Sequence, residues 1–230
     1  MKCPTCGNDN PADAQFCRGC GTSLSVPDTS DRGLESDDTQ INQGMRRGRT
    51  RVAATIAVAH AIKHVYNSGL RSLIMPDIKI GLRLDRAQFG SLATSSAIGW
   101  WLSTMTAGYL GDRYSHRAGL MLAIALALMG GALFLGGIVN NYVNMLLVMF
   151  LVGFGPAMFH PPAIGELSRR FPDRRGFAVS LHGVGANVGE VIGPPVVAAF
   201  LAFMIWRHLL MVSIVPSLMA GAAVWLLIPS

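Results

Sequence analysis

The chain has 230 residues, of which 51% are hydrophobic and only 14% charged, with a formal net charge of +6. A soluble domain of this length carries about 25% charged residues, so composition excludes an ordinary soluble globular protein and indicates a small soluble head on a membrane body. The basic balance does not make a nucleic-acid binder, because the arginines and lysines cluster at the ends of apolar runs, where membrane topology accounts for them.

Residues 1–23 contain all four cysteines, in Cys3-Pro-Thr-Cys6-Gly and Cys17-Arg-Gly-Cys20-Gly. Two residues between cysteines let one tight turn aim both thiolates at one metal, and the glycine after each pair lets backbone amides face the sulfurs. Four thiolates complete a tetrahedral Zn2+ site with no position left for water, so the predicted metal role is structural. The segment resembles the short zinc-ribbon module. Disulfides are the competing account, disfavoured in the reducing cytosol where topology places this head. So short a segment builds little core, and zinc supplies the folding energy; Phe16 is the expected apolar plug. The head's protein partner is not legible.

No secretory signal with an apolar core and cleavage site opens the chain. Residues 24–51 read as a linker. Ser25 to Gly44 is polar and acidic without apolar periodicity, which predicts disorder. Arg46, Arg47, Arg49 and Arg51 then form a basic juxtamembrane end.

From residue 52 to 230 the sequence predicts six membrane spans, at about 52–73, 89–110, 118–139, 143–164, 176–204 and 208–228. Arginines 46, 47, 49, 51, 113, 117, 169, 170, 174 and 175 fall on one side, against Lys79, Arg83, Arg86 and Arg207 on the other. This bias places both termini in the cytosol, in a multi-pass protein of the inner (plasma) membrane.

Polar residues inside the spans are costly in lipid and therefore informative. In the first span His60, Lys63, His64, Asn67 and Arg71 share one helical face. The stripe reads either as interhelical hydrogen bonding or as the wall of a hydrophilic cavity, with Arg71 a fixed positive charge. Between the second and third spans stands Gly108-Tyr-Leu-Gly111-Asp112-Arg113-Tyr-Ser-His-Arg117, a tight charged turn. The fourth span ends in Phe159-His160-Pro161-Pro162, which predicts a broken turn. There His160 is either a satisfied buried histidine or a gating one. In the fifth span Gly185, Gly189 and Gly193 fall four apart, a smooth stripe for close packing. Asn187 and Glu190 lie on a largely different face, and Pro194 with Pro195 should bend the helix. Glu190 is the acid read as lying deep in a span, so it is the candidate proton carrier, with His64 as partner.

The Gly-x-x-Gly-Asp-Arg-x-Ser-His-Arg order resembles the signature between the second and third helices of the major facilitator superfamily, with Ser115 in place of a glycine and His116 in place of a basic residue. Gly189-x-x-x-Gly193-Pro194 resembles the fifth-helix motif of its proton-coupled exporters. His64-x-x-Asn67, Phe159-His160-Pro161 and the block from Gly176 to Pro194 are similar to the fosmidomycin-resistance branch, which exports small drugs in exchange for protons. The resemblance covers about residues 52–228. It implies an all-α membrane fold, six helices forming one half of a transporter. Asp112, Arg113 and Arg117, with Gly108 and Gly111, would be its conformational latch, Glu190 with His64 its proton site, and Asn67, Arg71, His160 and Asn187 its cavity lining. Two departures matter. Ser68 stands where that branch tends to carry an acid, and Arg71 where it has a neutral polar residue. Both make the local field more positive and favour an anionic substrate.

The expected function is proton-coupled transport, the export of small organic or anionic solutes or drugs. The family uses two six-helix halves, so the chain is expected to be either a fragment or a half that pairs with a second copy or a separate partner. The alternative is a membrane-anchored zinc-ribbon adaptor without transport. No Ser/His/Asp set, phosphate loop or open metal site suggests an enzyme.

Overall fold

The computed structural model describes residues 1–11, 14–24 and 31–228, with backbone alone for 31–47 and at Arg71. They form two units, Met1–Arg47 and Gly48–Ser230.

The head is one small motif used twice. The Gly7 amide bonds the Cys3 carbonyl and the Gly21 amide that of Cys17, each at 2.9 Å. Each glycine has φ +74°, a left-handed conformation that a side chain would strain. Flanking each turn is an antiparallel bridge, Lys2 with Asp9 and Phe16 with Ser23. The small core is Cys3, Cys17 and Leu24, with Ala14 against it. Phe16 is not the plug. It is 62% exposed, because neighbours in an extended segment point to opposite sides and Cys17 takes the inner one.

The rest is helical: α1 (Asp31–Gly69), a wider π turn (Leu70–Ile74), α2 (Met75–Gly81), α3 (Arg86–Arg113), α4 (Ala118–Ile138), α5 (Tyr142–Ala157), α6 (His160–Arg170), α7 (Arg175–Leu201), α8 (Trp206–Val212) and α9 (Ile214–Leu227). The disorder expected over the linker differs from this backbone, which is helical from Asp31; residues 25–30 lie outside the described ones. No proline occurs between Pro27 and Pro76, so nothing interrupts the hydrogen-bond ladder.

Four helical stretches are long and apolar enough to cross a membrane: Ser115–Ile138, Tyr142–Arg170, Arg175–Leu201 and Trp206–Leu227. They coincide with the last four expected spans. The first two expected spans are helical too, but more polar. α1 carries the His/Lys stripe. α3 is rich in serine, and three of its serines reach α5: Ser91 to the Tyr142 hydroxyl at 2.7 Å, Ser95 to the Leu146 carbonyl at 2.7 Å and Ser103 to the Phe154 carbonyl at 2.5 Å. α3 starts on a capping box, with Asp85 and Gln88 bonding each other's backbone amides.

Close backbone approach organises the body. At Gly99 of α3 a side chain would overlap the Phe150 carbonyl, and at Gly153 of α5 the Ser96 carbonyl. The chain breaks between α5 and α6 at Met158 and Phe159, just before His160 and the two prolines at the start of α6. α7, by contrast, runs through Pro194 and Pro195 as one helix.

Candidate functional site

In the head, one sulfur-to-sulfur contact joins Cys3 to Cys20 at 3.6 Å and another joins Cys6 to Cys17 at 3.5 Å. All four sulfurs lie within 4.8 Å of one another. A tetrahedron with Zn–S bonds of about 2.3 Å has edges of about 3.8 Å, so the thiols fit that ion. The sulfurs are too far apart to be disulfides. Amide hydrogens are aimed at them: Gly19 N–H to Cys17 Sγ at 3.3 Å and Asn10 Nδ2 to the same sulfur at 3.5 Å. The Gly19 amide above all, helped by the Cys20 amide and Asn10, pulls the Cys17 thiol down to about 6. The Thr22 hydroxyl, 3.1 Å from its sulfur, likewise lowers Cys20. Cys6 goes the other way: the Asn8 amide pulls it down, but its contacts with the Cys20 and Cys17 sulfurs push it up to about 12, so in the metal-free head the neighbouring sulfurs share hydrogens.

The body holds a second cluster, made of imidazoles and gathered from three helices. α1 supplies His60, Lys63 and His64; α6 supplies His160; α7 supplies His182 and Glu190. Lys63 is only 1% exposed, and its Nζ lies 2.6 Å from His160 Nε2. His160 Nδ1 lies 3.5 Å from His182 Nε2. His60 Nδ1 meets the His182 carbonyl at 2.7 Å, and His60 Nε2 meets His64 Nε2 at 3.1 Å. His64 Nδ1 ends the chain against Glu190 Oε1 at 3.0 Å. The His60 and His182 rings stack 3.6 Å apart and nearly parallel, at 5°. Trp100 of α3 closes one side, its ring 5.3 Å from that of His160 and 5.6 Å from the Lys63 ammonium.

His60, His160 and His182 have ring nitrogens within 4.8 Å of one another. Three imidazoles are a donor set for zinc, copper or nickel. Stacked parallel rings, however, send their in-plane lone pairs side by side instead of to one point. Two of the nitrogens are also spoken for, by the His182 carbonyl and by Lys63. The arrangement suits hydrogen bonding better than ligation.

Beside the cluster is a cavity of about 670 Å³, with His64, Asn67, Ser96, Trp100 and Glu190 among its lining and Phe89, Met149 and Val152 making it partly apolar.

Residues 60–230 match the sequence model of the Major Facilitator Superfamily, and residues 2–24 match that of a zinc-ribbon domain. The chain belongs to the major facilitator superfamily. Among its relatives is the fosmidomycin resistance protein of Escherichia coli (strain K12), 27% identical over 172 residues, which cover 73% of this chain and 42% of the relative. The facilitated glucose transporter member 10 of solute carrier family 2 from Danio rerio is 25% identical over 75% of this chain and 34% of its own. A probable L-galactonate transporter of Escherichia coli (strain K12) is 25% identical over 81% and 40%. The chain thus spans less than half the length of these relatives. As a member of a transporter superfamily it is a membrane protein and not an enzyme.

Within this superfamily member the residues singled out from the sequence are placed unevenly. His64, Asn67 and Glu190 come together at the cavity wall. The Glu190 side chain is 54% exposed, on the cavity lining, while His64 is buried. Asn187 is exposed and outside the cavity lining, because three residues on a helix leave an angular offset of about 60° from Glu190. His160 sits in the imidazole cluster, not on the cavity lining. The side chain of Arg71 lies outside the described residues. Gly185, Gly189 and Gly193 lie against the backbone of α1, at Ala57, Ala61 and Val65 respectively, and Pro194 follows them.

The loop motif is exposed at Asp112, Arg113 and Arg117, with Gly108 in open space and Gly111 near Pro162. Among the described residues Asp112 makes no ion pair, and Arg113 stacks on Tyr114. The tie across this end comes from α6, where Arg169 donates to the Ser115 carbonyl at 2.9 Å and to buried Glu166 at 2.7 Å. Arg170 pairs with the same carboxylate.

Sequence reasoning missed Glu166, Trp100 and His182. The signal for His182 was present, since a histidine within an apolar run is costly unless partnered.

Proposed function

We propose that the chain is the six-span half of a proton-coupled transporter that exports small organic or anionic solutes across the inner (plasma) membrane, with its N-terminus in the cytosol. The observation that carries this reading is the His64–Glu190 contact on the wall of a cavity large enough for a small solute. A carboxylate that faces both a buried imidazole and the cavity can take a proton from either side. Asn67 and Trp100 offer that cavity an amide and an aromatic face. Arg71, in the same stripe as His64 and Asn67, supports the anionic class. The name of the L-galactonate relative, a sugar acid, agrees with it. The second half of the cavity wall comes from a further six-helix unit, a second copy or a partner. Asp112, Arg113 and Arg117 face outward to latch on that unit, and the bundles rock about the midplane site. In the head Zn2+, held by Cys3, Cys6, Cys17 and Cys20, fixes the fold.

The test is flux of a panel of small organic acids and neutral drugs in vesicles carrying a pH gradient. Flux that collapses the gradient with the wild-type chain and falls to background with Glu190→Gln is the expected result. Equal flux in both would end the proton assignment. A second reading, a membrane-anchored adaptor, is favoured by the complete four-thiol head. It predicts that cells depend on the cysteines and tolerate Glu190→Gln and His64→Ala.

A further inference from the structure

We infer that the Glu190–His64–His60 chain binds one proton per molecule in this conformation, with His60 acting as a tautomer lock anchored on the backbone carbonyl of His182. The inference rests on the transport reading for its purpose, but its geometry stands without it.

The argument is a count of hydrogens. Three contacts each need one hydrogen between the paired atoms: His60 Nδ1 with the His182 carbonyl, His60 Nε2 with His64 Nε2, and His64 Nδ1 with Glu190 Oε1. A carbonyl oxygen only accepts, so His60 Nδ1 carries a hydrogen. The Nε2 of a neutral His60 is then a lone pair, and His64 Nε2–H donates to it. A neutral His64 in turn presents a lone pair at Nδ1 to the carboxyl oxygen. Two neutral imidazoles bring two hydrogens, and the third contact needs a third. That third hydrogen is a titratable proton, held by Glu190 as the acid or by His64 as imidazolium against the ionised carboxylate. Placing the charge on His60 instead reverses one hydrogen bond and leaves the count unchanged. Tautomers are thus assigned from the network and owe nothing to burial.

The remaining polar groups around the chain do not supply this hydrogen. Lys63 of α1 is directed at His160 Nε2, 2.6 Å away. His160 of α6 bridges Lys63 to His182, whose own Nδ1 is buried and has no hydrogen-bond partner among the described residues. α3 offers the cluster the Trp100 ring. Lys63, His160 and His182 make a second chain that meets the first through stacked and edge-on ring contacts and the His182 carbonyl.

Coupling follows directly. Loss of the proton to cavity water leaves the Glu190 carboxylate against the His64 Nδ1 lone pair, and an attractive contact becomes repulsive. While His64 keeps its hydrogen on Nε2, the half-exposed Glu190 swings toward the cavity and this tie between α1 and α7 opens. His60 cannot relieve the conflict by changing tautomer, because a lone pair on its Nδ1 would then face the His182 carbonyl. Proton release therefore costs the chain one of two contacts, the His64–Glu190 tie between α1 and α7 or, if His64 shifts its hydrogen to Nδ1, the His60–His64 bond within α1.

The experiment is 15N NMR of imidazole-labelled chain in lipid nanodiscs between pH 5 and 9, with peaks assigned by single-histidine substitutions. The wild type should show His60 protonated at Nδ1 throughout and His64 carrying its hydrogen at Nε2 while the shared proton is bound. His60→Phe keeps an aromatic ring for stacking but removes the acceptor. The ratio of Nδ1–H to Nε2–H His64 should then rise about five- to tenfold, the worth of one neutral hydrogen bond. His60→Gln, whose Oε1 can accept at the Nε2 position, should restore the wild-type ratio. A His60 hydrogen at Nε2 instead of Nδ1, or an unchanged His64 ratio in His60→Phe, would overturn the lock. If His60→Phe does not fold, the wild-type spectrum decides alone. Tautomers as stated with no pH-dependent flux would sink the transport reading and leave the lock standing.

Discussion

The molecule gathers four cysteines in one unit and four histidines in the other, and the two clusters do opposite things with similar raw material. The thiols converge: sulfurs at 3.5 and 3.6 Å surround one point, with amide hydrogens directed inward. The imidazoles do not converge. They stack and pass hydrogens along a chain that ends on a carboxylate. Convergent anions hold a cation, whereas a chain of two-sided donors and acceptors holds a proton. The difference lies in direction, not in residue count.

The largest expected effect is on the head. Cys17→Ser should abolish its fold, because a structural zinc site contributes on the order of 10 kcal/mol; loss of amide dispersion in residues 1–24 checks this. Acid should do the same to the intact head. The folded Cys17 thiol lies near 6, below its ordinary 9.0, so the thiolate's contribution is complete above the ordinary value and lost as pH falls through about 6. Bound zinc competes with protons for the thiolates, so a zinc-responsive dye should report release only on acidification below about 6, and release complete already at pH 8 would contradict the geometry.

A smaller effect should follow Gly189→Val in the body, where a Cβ would overlap the Ala61 carbonyl and press on His64. Overpacking of this kind costs about 1–3 kcal/mol, and it should lower the melting temperature in detergent and disturb the His64 imidazole signals together. Melting without any change at His64 would separate the packing seam from the proton site. The smallest effect belongs to Asn187→Ala. Exposed and away from the cavity lining, it should change stability by under about 0.5 kcal/mol and leave flux as it was. A large loss of flux would return Asn187 to the cavity.

The two clusters were also unequally legible. The head's ligands fall within a few residues of each other in two repeats of one turn, so spacing alone carried the prediction and the left-handed glycines came with it. Phe16 was misjudged because hydrophobicity says nothing about which side of a two-residue bridge a ring takes. In the body, the stripe from His60 to Asn67 was legible because it lies on one helix. That His64 meets Glu190 depends on how α1 packs on α7, and the glycine stripe hinted at this seam without fixing its register. His182 escaped because its partners, His60 and His160, come beside it only once helices far apart in sequence pack together; Glu166 pairs with Arg169 and Arg170 at i+3 and i+4 on α6, a local pattern present in the sequence. The polar character of α3 has its explanation in α5, where Ser95 and Ser103 donate to carbonyls and Ser91 meets the Tyr142 hydroxyl, partners that the sequence alone does not place.

The division between a metal cluster and a proton cluster is tested most directly by metal content. The full-length Cys17→Ser chain, purified in detergent, would be equilibrated with low-micromolar zinc, washed and measured by elemental mass spectrometry beside the wild type. The account predicts one tightly held zinc per wild-type chain and none in the variant. A zinc retained by Cys17→Ser and lost on further substitution of His160 would show that the histidines ligate a metal, and would contradict the account.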